Sequence, residues 1–342
     1  LTAATIANGW SSYFSRLLAG LGVDLPKEIY TLPSAGGYGN IPAVIVVLLI
    51  TFILSKGTSS SKLVNNLMVV AKVGIVILFI VVGSFYVEPT NWTNNFAPTG
   101  FSGVMLAATT VFFAYLGFDA ISTSAEETIN PEKALPKAII ITMIVCTAFY
   151  IIVCLVLTGV VEYSRLGTGD ALAFVLEEVG QNRVAGIVSL GAVIGLMAGI
   201  LSFIYAGIRI TYTIARDGLL PNNLTKVNKS HVPGTVTWGL GITTAILAGF
   251  LPLGQLADLA NVASIIAFAL VSYTTIVFYK KYPDLKRGFK VPGMPVLPMI
   301  SIVLFAALLY SIKLTTWIIF IVWVIIGIVV YFAFSYKNSK LK

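Results

Sequence analysis

The chain has 342 residues, of which 57% are hydrophobic and 11% charged. That balance excludes an ordinary soluble domain and makes lipid the expected solvent. The formal net charge of +8 is accounted for by loops and helix ends and needs no nucleic acid as a partner. One histidine and two cysteines make a poor metal-binding set, and no cofactor is expected.

Apolar runs near the roughly 20 residues that cross a bilayer recur along the chain and predict an all-α, polytopic membrane protein. Ten spans are expected, at about 1–19, 41–55, 66–87, 102–129, 136–161, 184–215, 234–252, 256–279, 296–312 and 314–336. The first opens at Leu1 with no methionine or leader ahead of it, which predicts a missing N-terminal part. Residues 1–342 are otherwise read as a single transmembrane domain. Lysine and arginine accumulate on the cytoplasmic side of membrane proteins. Placing both termini inside puts the clusters Lys56 and Lys62, Lys133 and Lys137, Lys280 to Lys290, and Lys337 to Lys342 in the cytoplasm. Arg16, Lys27, Arg165, Arg183 and Lys313 then fall outside. The expected location is the cell membrane, multi-pass, with a cytoplasmic C-terminus.

Between spans, Leu172 to Val179 are expected as a short surface helix with Asp170 as N-cap. Cys146 and Cys154 lie on one predicted helix, about 12 Å apart along its axis, too far to bond. His231 precedes Val232 and Pro233 at a helix start and reads as an exposed connector residue. The tryptophans mostly fall near span ends, where an interfacial belt explains them.

The fourth span, VFFAYLGFDAISTSAEETINPEKALP at 111–136, carries the main signal. Tyr115, Gly117 and Asp119 interrupt a membrane-length apolar run. Backbone that leaves helical geometry at that depth needs shelter within protein or enclosed water. Discontinuous helices of this kind form substrate sites in secondary transporters. Residues 113 to 118 are therefore expected to break the helix, leaving carbonyls of Phe113, Ala114 and Leu116 to accept from an ammonium group. Asp119 is expected to cap the inner half. The alternative is a kinked packing helix with Gly117 at a close crossing. Glu126, Glu127 and Glu132 follow at a water-facing end, beside lysines, and read as solvated caps.

Lys72 lies about seven residues inside the third span, on the order of 10 Å into the apolar layer. An amine held away from water is a candidate proton carrier, or else internal glue bonded to carbonyls, or a snorkelling side chain. Arg209, in the sixth span, stays charged at any cellular pH and is read as a structural pair or carbonyl clamp near the inner gate. Arg216 and Asp217 end that helix within ARDGLLP at 215–221, with Gly218 as a left-handed cap and gating as one possible role.

Together ANGWSSYF at 7–14, NWTNNFAPTGFSGV at 91–104, the fourth span and ARDGLLP resemble the amino acid–polyamine–organocation permeases, in particular bacterial relatives of cationic amino acid transporters. The resemblance runs along essentially the whole chain. It implies two inverted five-helix repeats plus two C-terminal helices, with the ten spans here matching the third to twelfth and the first two helices missing. No segment matches the Gly-rich first span that holds a substrate carboxylate in that family.

By the same resemblance, Phe113 closes over a bound amino acid. The backbone at Phe113, Ala114, Leu116 and Gly117 receives its ammonium group, and Lys72 occupies the place of a sodium ion. Thr2, Thr5 and Asn8 line the side-chain end. The implied activity is secondary active amino acid transport, with protons as coupling ion and alternating access. The fourth span would rock against the first, second, sixth and seventh.

An exchanger or facilitator in which Lys72 is structural is the competing transport reading. A channel should show charge rings or repeated filter loops, and an intramembrane enzyme needs convergent nucleophile, base or metal residues; the sequence offers neither. With Asp119 as the clear intramembrane acid, neutral or broad amino acid use is expected at least as readily as arginine or lysine.

Overall fold

A computed structural model of the protein describes residues 1–33, 36–57, 62–93, 97–119, 121–122, 128–228, 232–285 and 287–340. Glu126, Glu127 and His231 lie outside them. Among the described residues the regular structure is helical, with no strand. The helices are α1 (Thr2–Gly20), α2 (Ile41–Ser55), α3 (Lys62–Ser84), α4 (Thr90–Thr93), α5 (Gly100–Val111), α6 (Pro131–Val160) and α7 (Ala171–Glu178). They continue with α8 (Asn182–Arg216), α9 (Gly234–Phe250), α10 (Leu253–Lys281), α11 (Val296–Tyr310), α12 (Leu314–Val330) and α13 (Tyr336–Asn338).

Four helical stretches are long and apolar enough to cross a membrane: α6, α8, α10 and Leu314–Asn338. Five shorter apolar stretches accompany them among the described residues, including α2, α9 and α11. Large apolar side chains face outward, with Ile318, Val322, Trp323, Ile325 and Val329 of α12 all exposed. Polar Asn8, Ser11 and Asn40 are buried. This inside-out polarity fits hydrocarbon as the surrounding medium, and the protein is a multi-pass membrane protein.

The chain divides into two compact units. The first contains Leu1–Asn94, Leu155–Leu256 and Val322–Lys342. Here α1 packs on α8, α2 on α9, and α3 and α7 on α8. Small residues make these approaches possible, as in membrane helix pairs generally. Gly191, Gly195 and Gly199 recur every fourth residue on α8 and receive Ile75, Lys72 and Ile6 in turn. On α9, Gly241 meets Thr51 and Gly249 meets Val44.

A polar knot ties α1 to the start of α2. Asn40 caps α2 by accepting from the Ala43 N–H at 3.3 Å, while its Oδ1 also accepts from Ser11 Oγ at 2.6 Å and its Nδ2 donates to Asn8 Oδ1 at 2.7 Å. The Asn40 N–H donates to the Gly249 carbonyl at 2.9 Å, bringing in the end of α9. Trp10 is likewise buried, stacked on Phe14, so it belongs to this core and not to an interfacial belt.

Asp170 does precede the short helix α7, yet its carboxylate makes no cap bond. It is engaged instead by the Arg16 guanidinium and the Thr168 hydroxyl. Arg16 also pairs with Glu177, and Arg165 pairs with Glu178 at 2.5 Å. A guanidinium pairs with a carboxylate in both charge and geometry, and with Arg16 on Oδ2 and Thr168 on Oδ1 both oxygens of Asp170 are engaged away from the helix end.

The second unit contains Asn95–Cys154 and Ala257–Ile321. It holds α5 with the segment that follows, most of α6 and α10, and α11.

Candidate functional site

The apolar run of the fourth expected span ends its α-helix at Val111, tightens into a 3₁₀ turn over Phe112–Tyr115, and then leaves helical geometry. Leu116 is extended at φ −61° and ψ 131°, and Gly117 follows at φ +111°. Such a positive φ is open to glycine and costly for side-chain-bearing residues. Gly117 is thus the residue that lets the chain turn here.

A helix that stops in an apolar medium leaves its last carbonyls without partners, and three side chains or backbone groups answer at this one. Asn261 of α10, fully buried, donates from Nδ2 to the Thr109 carbonyl at 2.8 Å. The Tyr150 hydroxyl of α6 donates to the Ala114 carbonyl at 2.6 Å. The Leu116 N–H donates to the Phe113 carbonyl at 3.1 Å. Tyr115 and Thr147 share a hydroxyl–hydroxyl bond at 3.0 Å, and the Tyr115 and Tyr150 rings meet edge to face at 5.2 Å. The carbonyls of Phe113 and Ala114 each already accept one bond, which leaves one lone pair apiece for a ligand.

Beside the break lies a cavity of about 590 Å³ lined by aromatic side chains, among them Phe112, Tyr115, Phe118 and Phe268. Phe112 packs edgewise on Phe268 and Phe305, with ring centroids 6.1 and 6.2 Å apart. The wall takes Phe112, Tyr115 and Phe118 from the broken segment, whereas Phe113, Ala114, Leu116 and Gly117 are not part of it. Asp119 is exposed, and its backbone carbonyl accepts from Ser122 Oγ at 2.6 Å.

The remaining expected site residues belong to the first unit. Thr5 is buried, with its hydroxyl donating to the Leu1 carbonyl at 3.2 Å; Thr2 is half-buried one turn before it. Asn8 is held in the Asn40 knot described above. Lys72 is half-buried on α3, its aliphatic stem lying over Gly195: a Cβ added there would stand 3.0 Å from Lys72 Cγ and 3.1 Å from Cε. Among the described residues Lys72 makes no ion pair.

Arg209 is exposed, its guanidinium 6.0 Å from the Tyr205 ring centre. Arg216 and Asp217 approach to 3.9 Å at the end of α8. Gly218 follows at φ +83°, with Leu219 N–H bonded to the Ile214 carbonyl and Gly218 N–H to the Ala215 carbonyl, a Schellman cap. The C-terminal helix also reaches this loop. Ser335 Oγ donates to the Leu219 carbonyl at 2.6 Å, and Lys340 N–H donates to the Asp217 carbonyl at 2.9 Å.

Tyr150, Thr147 and Asn261 carry no motif; they reach the break only through helix packing. The glycine spacing at 191, 195 and 199 is the one readable signal for the surface on which Lys72 rests. Asn261→Leu is expected to leave the Thr109 carbonyl unpaired in the interior and cost about 1–3 kcal/mol. The measurement is the thermal denaturation midpoint of the purified protein in detergent, which should fall by several degrees.

The family model described as "Amino acid permease" matches residues 1–334. The chain is 46% identical over 341 residues to the "Methylthioribose transporter" of Bacillus subtilis (strain 168), covering 99% of this chain and 74% of that protein. It is 44% identical over 347 residues to the "Branched-chain amino acid permease BcaP" of the same organism, covering 100% and 74%. "Cationic amino acid transporter 4" of Homo sapiens is 30% identical over 295 residues, covering 83% and 46%.

Proposed function

The chain belongs to the amino acid permease family, and from that premise we propose that it carries neutral amino acids across the membrane by proton-coupled symport. The observation that carries this reading is the break at Leu116–Gly117 within an apolar run. Non-helical backbone in a membrane span offers carbonyls that can accept from a substrate ammonium group, as discontinuous helices do in secondary transporters. Phe113, Ala114, Leu116 and Gly117 are the proposed ammonium-side residues, with Thr2 and Thr5 toward the side-chain end. Asp119, Arg209, Arg216 and Asp217 are proposed for structural and gating roles.

Lys72 is the proposed proton carrier. A lysine releases and regains its proton more readily than an arginine, and its stem lies against α8 at Gly195, where an added Cβ would make tight contact with it. Alternating access is proposed with the broken span as the moving element against the scaffold helices α1, α2, α8 and α9. The spans are read as ten, in a five-plus-five arrangement with two added helices, and the C-terminus as cytoplasmic. One bacterial relative is named for branched-chain amino acids, which supports an uncharged side chain on the substrate, and the other for methylthioribose, an uncharged sugar.

Radiolabelled uptake by the full-length protein in proteoliposomes tests the reading. Leucine should accumulate when the outside is made acidic and should stop accumulating when the gradient is collapsed. Uptake that ignores the gradient while counterflow persists would replace symport by exchange, with Lys72 structural. No uptake of any of the twenty amino acids would remove amino acid transport itself.

A further inference from the structure

Arg287 closes one end of a hollow of about 350 Å³ whose other walls are Val271, Thr274, Thr275, Phe278 and Tyr279. From Val271 to Tyr279 the hollow follows α10 for about 12 Å. Thr274 and Thr275 turn their hydroxyls to the carbonyls of Leu270 and Val271, at 2.8 Å each, and so present methyl groups. Val271 and Phe278 are 62% and 50% exposed. The groove is apolar along its length and cationic at its mouth.

The mouth is built, not incidental. The Arg287 guanidinium lies 4.1 Å from the Tyr279 ring centre and donates to the carbonyls of Pro283 and Leu285 at 3.2 Å and of Tyr282 at 2.5 Å. The Tyr279 hydroxyl in turn accepts from the Val291 N–H at 3.0 Å, folding the loop back on the helix. Every one of these acceptors is neutral. Among the described residues no carboxylate pairs with Arg287. Lys280, Lys281 and Lys290 add positive charge to the same end, against Asp284 in the loop and Glu132, which packs on Gly288.

We propose that this groove binds one anionic phospholipid, its acyl chain along Val271 to Phe278 and its phosphate at Arg287 and the neighbouring lysines. A guanidinium suits a phosphate in both charge and geometry, and basic pockets at the ends of membrane helices receive such headgroups. The apolar wall selects a lipid over a free anion. The unpaired positive charge selects an anionic headgroup over a zwitterionic one.

Native mass spectrometry of the full-length protein, with phosphatidylglycerol or phosphatidylcholine added in detergent, tests this. Phosphatidylglycerol should remain bound where phosphatidylcholine is lost. Thr275→Trp, which fills the groove from α10 and keeps the Arg287 charge, and Arg287→Gln should each weaken phosphatidylglycerol retention by about tenfold. Lys337→Gln combined with Lys340→Gln, at another basic end, should leave it unchanged. Equal retention of the two lipids would overturn the site, as would wild-type retention in the Thr275→Trp protein. Displacement of the lipid by millimolar glycerol phosphate would reduce it to an anion site and overturn the lipid assignment.

Discussion

Gly117→Ala is expected to lower the initial rate of amino acid uptake by about tenfold or more while the protein still reaches the membrane. At φ +111° a methyl side chain costs about 1–3 kcal/mol. The chain can relieve that cost by drawing Leu116 and residue 117 back into helical geometry. The carbonyls of Phe113 and Ala114 would then close into the helix ladder, and the proposed ammonium site would be lost. Gly327→Ala is the matching control, because Gly327 lies within α12 with open space around it, where alanine favours the helix by roughly 1 kcal/mol. Wild-type uptake by the Gly117→Ala protein would show that the break has no part in transport.

The second large effect is expected at Lys72. Lys72→Met should abolish accumulation driven by a pH gradient, measured as the steady-state ratio of internal to external leucine. Lys72→Arg should retain counterflow yet also fail to accumulate, because a guanidinium holds its proton at any cellular pH. If protonated Lys72 favours binding, wild-type affinity falls as pH rises, and the Lys72→Met protein loses that dependence. Gly195→Ala should give a partial defect of the same kind, since the added Cβ would crowd Lys72 Cγ and Cε at 3.0 and 3.1 Å. A Lys72→Met protein that still responds to the gradient as wild type does would move the proton-coupling group elsewhere.

These two residues differ in how far they could be read from sequence. Gly117 stands in an apolar run beside Tyr115 and Asp119, so the break is visible as a local conflict between composition and helix. Its expected extent, 113 to 118, is close to what the backbone does: the α-helix ends at Val111, and the extended and positive-φ residues are Leu116 and Gly117. Lys72 is conspicuous as a charge inside an apolar run. The partner residue that seats it, Gly195, lies more than one hundred residues away in sequence.

Asp170 shows the opposite case. Its position before α7 was legible, but its bond was not, because Arg16 reaches its carboxylate from a helix about 150 residues earlier and no cap bond forms. Asn8 reads as a pocket-lining side chain and is found accepting from Asn40 in the buried knot while its own amide donates to the Leu251 carbonyl. Tyr150 and Asn261 are ordinary residues of their own helices. Only packing brings their donors to carbonyls that a broken helix has left open.

By itself the sequence determined the helical class, the membrane setting and the place where one apolar run fails. Each of these follows from a local rule: backbone polar groups in hydrocarbon must be bonded within their own segment, and composition shows where that is possible. Tertiary structure decided which side chains answer the carbonyls released at the break, which glycine meets Lys72, and which partners a carboxylate takes. Those choices depend on distances between residues far apart in the chain, and no local pattern of apolar and polar residues encodes them.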